Sequence, residues 1–161
     1  MAFLRFLHIF SAIFWVGATL FLVFFVEPTV RALGPDGGKF MQRLMGGTRF
    51  SLAMAVSGWL TILAGLLLYG PVTGWSVDLM LGPRLPLTLG AVAGIAAGLV
   101  GTLVQGRASG RLQALGQAVA AQGAPPSPTQ AAEMQRLQAA IRRGSWWSAG
   151  LMVLAVIGMT W

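Results

Sequence analysis

Cysteine is absent, histidine occurs once, and only four acidic residues stand against eleven basic ones. Without cysteine there is no disulfide framework and no thiolate metal site, and the redox compartment cannot be read from sulfur chemistry. With His8 alone, the paired histidines of a zinc hydrolase are missing, and no carboxylate pair or nucleophile triad takes their place. Glu27, Asp36, Asp78 and Glu133 are scattered at span ends or in loops, where solvation or pairing with nearby arginines is expected. The sequence therefore assigns no catalytic residue.

Apolar sequence is abundant instead. The 161 residues are 56 % hydrophobic and 9 % charged, with a mean hydropathy of +0.74, a balance that excludes an ordinary water-soluble domain. Crossing roughly 30 Å of hydrocarbon takes about 20 helical residues. Four stretches meet or approach that length: 3–26, 50–69, 86–105 and 145–161. The last is short, so its helix is expected to begin earlier. The expectation is a single all-α domain over 1–161, a polytopic bundle of four transmembrane helices in contact with the lipid bilayer. The first run exceeds a signal-peptide core and lacks a small-residue cleavage site after it, so it is expected to be retained.

The net charge of +7 follows membrane topology rather than nucleic-acid binding. Arg31, Lys39, Arg43 and Arg49 lie in loop 27–49, and Arg107, Arg111, Arg136, Arg142 and Arg143 in loop 106–144, whereas only Arg5 and Arg84 lie on the other side. That bias puts both basic loops in the cytoplasm and both termini outward. In the first loop, "GPDGG" reads as a turn flanked by helical pattern. In the second, "RASGRLQALGQAVAAQG" and "PTQAAEMQRLQAAIRRG" are helix formers separated by "APPSP", with Thr129 as a candidate N-cap. They predict a cytoplasmic helical hairpin that continues spans three and four and either lengthens the bundle or docks a partner.

At 100° per residue, Arg5, His8, Ser11, Ala12, Trp15, Thr19 and Leu22 share one side of the first helix, and Phe3, Phe6, Phe10, Phe14, Phe21, Phe24 and Phe25 the other. Unpaired polar groups are costly in lipid, so the histidine side should face the bundle interior. Small residues mark the inward faces of the second span (Met54, Ser57, Gly58, Thr61, Ala64, Gly65) and the third (Gly90, Gly94, Ala97, Gly101). On the fourth, Ser145, Ser148, Ala149, Met152, Ala155, Val156 and Met159 align. Tyr69, Trp75, Trp146, Trp147 and Trp161 fit interfacial belts.

Three readings of His8 stand open. It can hydrogen-bond Ser11, a backbone carbonyl or water and fix helix packing. It can be an axial ligand of haem, with Met159, Met152 or nothing opposite and Arg5 and Arg84 at the propionates. Or, with Met159 and Met80, it can offer imidazole and thioether donors to copper(I).

"LHIFSAIFWVGATLFLVFFVEPTV" resembles the opening helix of the copper-resistance protein D (CopD) group and related four-helix membrane families, with His8, Trp15 and Gly17 in the order seen there. "TRFSLAMAVSGWLTILAGLLLYG" is similar to their second helix, ending in the small pair Ala64 and Gly65. The HemJ family, linked to protoporphyrinogen oxidation, begins with a similar histidine helix. The likeness covers roughly the first seventy residues. It implies a four-helix inner-membrane bundle with copper uptake or haem binding as roles; taken with the positions of the residues, the expectation is a bacterial protein holding b-type haem or copper, with His8, Arg5, Arg84, Trp15 and Met159 as cofactor-site residues and His8 and Met159 as the metal donors. The rival reading is a cofactor-free accessory subunit that binds other membrane subunits, or a second copy of itself, through its helices and hairpin.

Overall fold

A computed structural model describes residues 1–160; Trp161, expected at an interface and at the end of the fourth span, lies outside them. The described residues contain helices and turns and no strand. Helix α1 runs Ala2–Ala32, α2 Pro35–Gly46, α3 Phe50–Thr73, α4 Val77–Leu81, α5 Leu85–Ala121 and α6 Pro128–Met159.

Local chemistry sets the ends of these helices. The chain turns at Leu33 and Gly34, where Gly34 takes φ +55°, and Pro35 then starts α2. "GPDGG" is thus the beginning of a helix rather than a turn. Proline's fixed φ suits the first helical position, and Asp36 in the first turn complements the helix dipole while pairing with Lys39 at 2.8 Å. Gly74 ends α3 in the left-handed region at φ +58°. At the start of α6 the cap is Ser127, not Thr129: Ser127 Oγ accepts from the Gln130 N–H at 3.2 Å, and Gln130 Oε1 accepts from the Ser127 N–H at 2.8 Å. Pro128 at the first helical position leaves Ser127 as the residue with extended geometry, and Gln130 completes the reciprocal capping box.

α1, α3, α5 and α6 form a ring in which each neighbour runs antiparallel to the last. α1 meets α3 where Trp15 covers Gly58 and His8 covers Gly65. α3 meets α5 where Ile62 fills the space above Gly98, and where Tyr69 Oη lies 2.7 Å from Thr88 Oγ1. α5 packs most extensively against α6, from Gly90 beside Gly158 to Gln105 beside Gly144. α6 closes on α1 through Met152 beside Trp15 and through the Phe24–Trp146 edge contact, with ring centroids 5.4 Å apart. Beyond this ring, α5 and α6 continue side by side as far as the turn at 122–127.

The exposure pattern follows the sequence periodicity. Ser11, Trp15 and Thr19 are buried, and all seven phenylalanines of the opposite stripe are exposed. On α1 two positions depart from the expected face, and on α6 Val156 and Met159 are exposed. Arg5 is exposed, because α1 begins only one turn before it. Val23 is buried where straight α-helical spacing puts Leu22, because residues 22–26 form a π-helical turn, whose wider period moves the inward face one residue along.

Three helices, α1, α3 and α5, are long and apolar enough to cross a membrane. α6 is apolar only beyond Arg142 and Arg143, so its described length contains too short a run to join them. Large apolar side chains over most of the outer surface, Phe3, Phe10, Leu67 and Leu89 among them, are what a lipid-facing bundle presents, and water would penalise them.

Candidate histidine site

His8 is half-buried on the seam between α1 and α3. Its Nδ1 lies 2.8 Å from the Thr61 carbonyl oxygen. A carbonyl only accepts, so the hydrogen bond requires the proton on Nδ1; a neutral ring then carries its lone pair on Nε2. Nε2 has no hydrogen-bond partner among the described residues.

The Thr61 carbonyl can take this donor because of Gly65. In a helix the side chain four positions on crowds a carbonyl's outer flank, and here that side chain is missing. A Cβ at Gly65 would stand 2.9 Å from His8 Cε1 and 3.1 Å from Nδ1, so the imidazole occupies the space that glycine leaves. One turn inward, Thr61 Oγ1 lies 3.0 Å from Ser11 Oγ and 2.7 Å from the Ser57 carbonyl, while Ser11 Oγ donates to the Leu7 carbonyl at 2.6 Å. The seam is therefore a set of small and hydroxylated residues whose polar atoms are satisfied locally. No buried side-chain nitrogen or oxygen among the described residues lacks a partner.

The remaining candidates are not all brought to His8. Trp15, 8 % exposed, packs with Ala97 and with Met152, 1 % exposed, in the core of the ring. Seven residues separate it from His8, about 10 Å along the helix. Trp15 is thus placed in packing, and Met152, enclosed at Trp15's level, is two turns too deep to face the imidazole. Met159 lies seven residues beyond Met152, which returns it to nearly the same face of α6 and to the level of His8; it is exposed, as is Val156, and the buried residue at this end of α6 is Gly158. Contact with α5 through Gly90 turns that face inward instead. Arg5 and Arg84 are exposed, Arg84 as the residue that begins α5. Met80 lies half-buried in α4, with its carbonyl accepting from Thr88 Oγ1 at 2.9 Å.

The arrangement is a single oriented imidazole, with two exposed cations, Arg5 and Arg84, near the same end of the bundle. No group of three or more His, Asp or Glu residues that could hold a metal ion occurs among the described residues. Two open surface depressions, of about 250 and 260 Å³, lie away from His8; Arg142, Arg143, Trp146 and Trp147 line one, and residues between Phe21 and Phe40 the other. The partner of His8 was hidden in the sequence because it is a main-chain atom, and its one signal is a glycine four residues after a threonine on the facing helix. Compared with protein-family models, curated proteins and solved structures, the chain matches none of the three.

Proposed function

We propose that the chain is a four-span protein of CopD-like type in the bacterial inner membrane, with both termini outward, in which His8 near the outer face would hold a b-type haem, ahead of copper. The observation that carries this reading is the 2.8 Å hydrogen bond from His8 Nδ1 to the Thr61 carbonyl. Proteins orient ligating histidines in this way, fixing the tautomer and the ring plane through the second nitrogen. Arg5 and Arg84 supply cations for carboxylate substituents of such a group. Copper comes second because the thioether that would join the imidazole, Met159, is exposed at the end of α6 and turned from His8. A bound haem would supply one-electron transfer; the chain's own part is to hold the ring and to present Nε2. The fourth span is α6 from Gly144 onward, with Arg142 and Arg143 at its cytoplasmic boundary and with the paired ends of α5 and α6 projecting beyond.

A second reading draws on the fit of His8 against Gly65. That contact joins α1 to α3 whether or not anything occupies Nε2, as expected of a cofactor-free accessory subunit that meets other membrane subunits or a second copy through its helices.

Visible absorption of the detergent-purified protein, oxidised and dithionite-reduced, with metal analysis of the same sample, separates the two. The haem reading expects a Soret band with reduced α and β bands, lost in His8→Ala. A colourless, copper-free protein would assign His8 to packing alone, and a Soret band that survives in His8→Ala would remove the histidine from the site.

A further inference from the structure

Where the polar arm of α6 meets its apolar end, the helical spacing sets Arg142 one turn before Trp146 and Arg143 one turn before Trp147. The four side chains line a shallow, open depression of about 250 Å³ on the outer surface. Gly144 and Ser148, on the opposite side of α6, are buried, so this face is the outward one. The Trp146 ring is held edge-on by Phe24 of α1, which fixes one side of the depression.

The two guanidinium groups have no carboxylate partner among the described residues. Of the four acidic residues in the chain, Glu27 pairs with Arg31, Asp36 with Lys39 and Glu133 with Arg136. The fourth, Asp78, lies in α4, at the far end of the ring from Arg142. Several other exposed arginines also lack a carboxylate partner, and what sets Arg142 and Arg143 apart is that Trp146 and Trp147 stand one turn beyond them on the same face. Arginine's planar fork matches phosphate oxygens, and indoles favour the headgroup level of a bilayer.

We propose that Arg142, Arg143, Trp146 and Trp147 form a binding site for the phosphodiester headgroup of an anionic phospholipid, held at the membrane boundary of α6. The guanidinium groups take the phosphate, and the indoles flank the glycerol and upper acyl region. The site shares no residue with His8, so it stands or falls apart from the haem reading.

The test is the thermal unfolding midpoint of the purified chain, titrated with micelles carrying phosphatidylglycerol, with micelles carrying phosphatidylcholine, and with inorganic phosphate. Phosphatidylglycerol should raise the midpoint, and the other two should not. Arg142→Gln/Arg143→Gln should weaken the phosphatidylglycerol response roughly thirtyfold in apparent affinity, from the loss of two surface cations. Arg107→Gln/Arg111→Gln, which removes equal charge elsewhere on the basic side, should retain it. Equal responses to the two lipids, or an unchanged response in the Arg142/Arg143 variant, would overturn the site. A shift produced by inorganic phosphate alone would overturn the lipid assignment and leave a free-phosphate site. If the glutamine pair does not purify folded, the single variants Arg142→Gln and Arg143→Gln decide: an unchanged response in both contradicts the proposal.

Discussion

Gly158→Ala should lower the unfolding free energy of the purified protein by roughly 2 to 3 kcal/mol, a large loss for one methyl group. A Cβ at Gly158 would stand 2.5 Å from the Pro86 carbonyl oxygen, 2.8 Å from Gly90 Cα and 2.9 Å from Gly90 N. All three are main-chain atoms of α5, so no rotamer change relieves the clash and the two helices must separate. In a bilayer, where no hydrophobic effect holds helix to helix, close backbone approach carries much of the association, and separation loses it along the whole seam. The reciprocal position gives the same reading, since a Cβ at Gly90 would lie 2.9 Å from the Ala155 carbonyl oxygen. Gly150→Ala is the control: no atom lies within 4 Å of its added Cβ, and better helix propensity should leave stability unchanged or slightly raised. Equal effects at Gly158 and Gly150, measured by denaturant unfolding in detergent, would contradict the α5–α6 crossing.

Gly65→Leu should cost roughly 2 kcal/mol in the native chain and much less when His8 is already alanine. The leucine enters the volume that the imidazole fills and covers the Thr61 carbonyl, so it removes both the packing and the hydrogen bond of His8. In His8→Ala that volume is vacated, and the leucine has space to occupy. The double-mutant cycle thus isolates the α1–α3 contact, and additive losses would show that His8 and Gly65 do not share the site.

Much of the architecture is legible in the sequence because lipid makes simple demands on it. The phenylalanine stripe of α1 and the Ser11–Trp15–Thr19 stripe separate cleanly, since only one of them can face hydrocarbon without leaving a polar group unpaired. The small-residue faces of α3 and α5 are legible for the related reason that glycine marks close approach. Departures come where a period changes or an end intervenes. A π-helical turn exchanges Leu22 for Val23, Pro35 converts an expected turn into a helix start, and Ser127 outcompetes Thr129 as a cap because proline follows it. The site is less legible than the fold, because its key partner is a carbonyl oxygen, which every residue carries and no side-chain pattern marks. Met159 and Met152 illustrate the difficulty. Both lie on the face of α6 that the spacing selects, yet one is sealed against Trp15 and the other is exposed at the helix end.

Because His8 is the chain's only histidine, nitrogen-15 NMR of histidine-labelled protein reports a single imidazole. Recorded on cofactor-free protein where the ring is neutral, the spectrum should show a protonated Nδ1 whose hydrogen exchanges slowly, and a bare Nε2, as the hydrogen bond to Thr61 requires. A bare Nδ1 with the proton on Nε2 would break that bond, withdraw the free lone pair and contradict the account of His8 as an oriented donor.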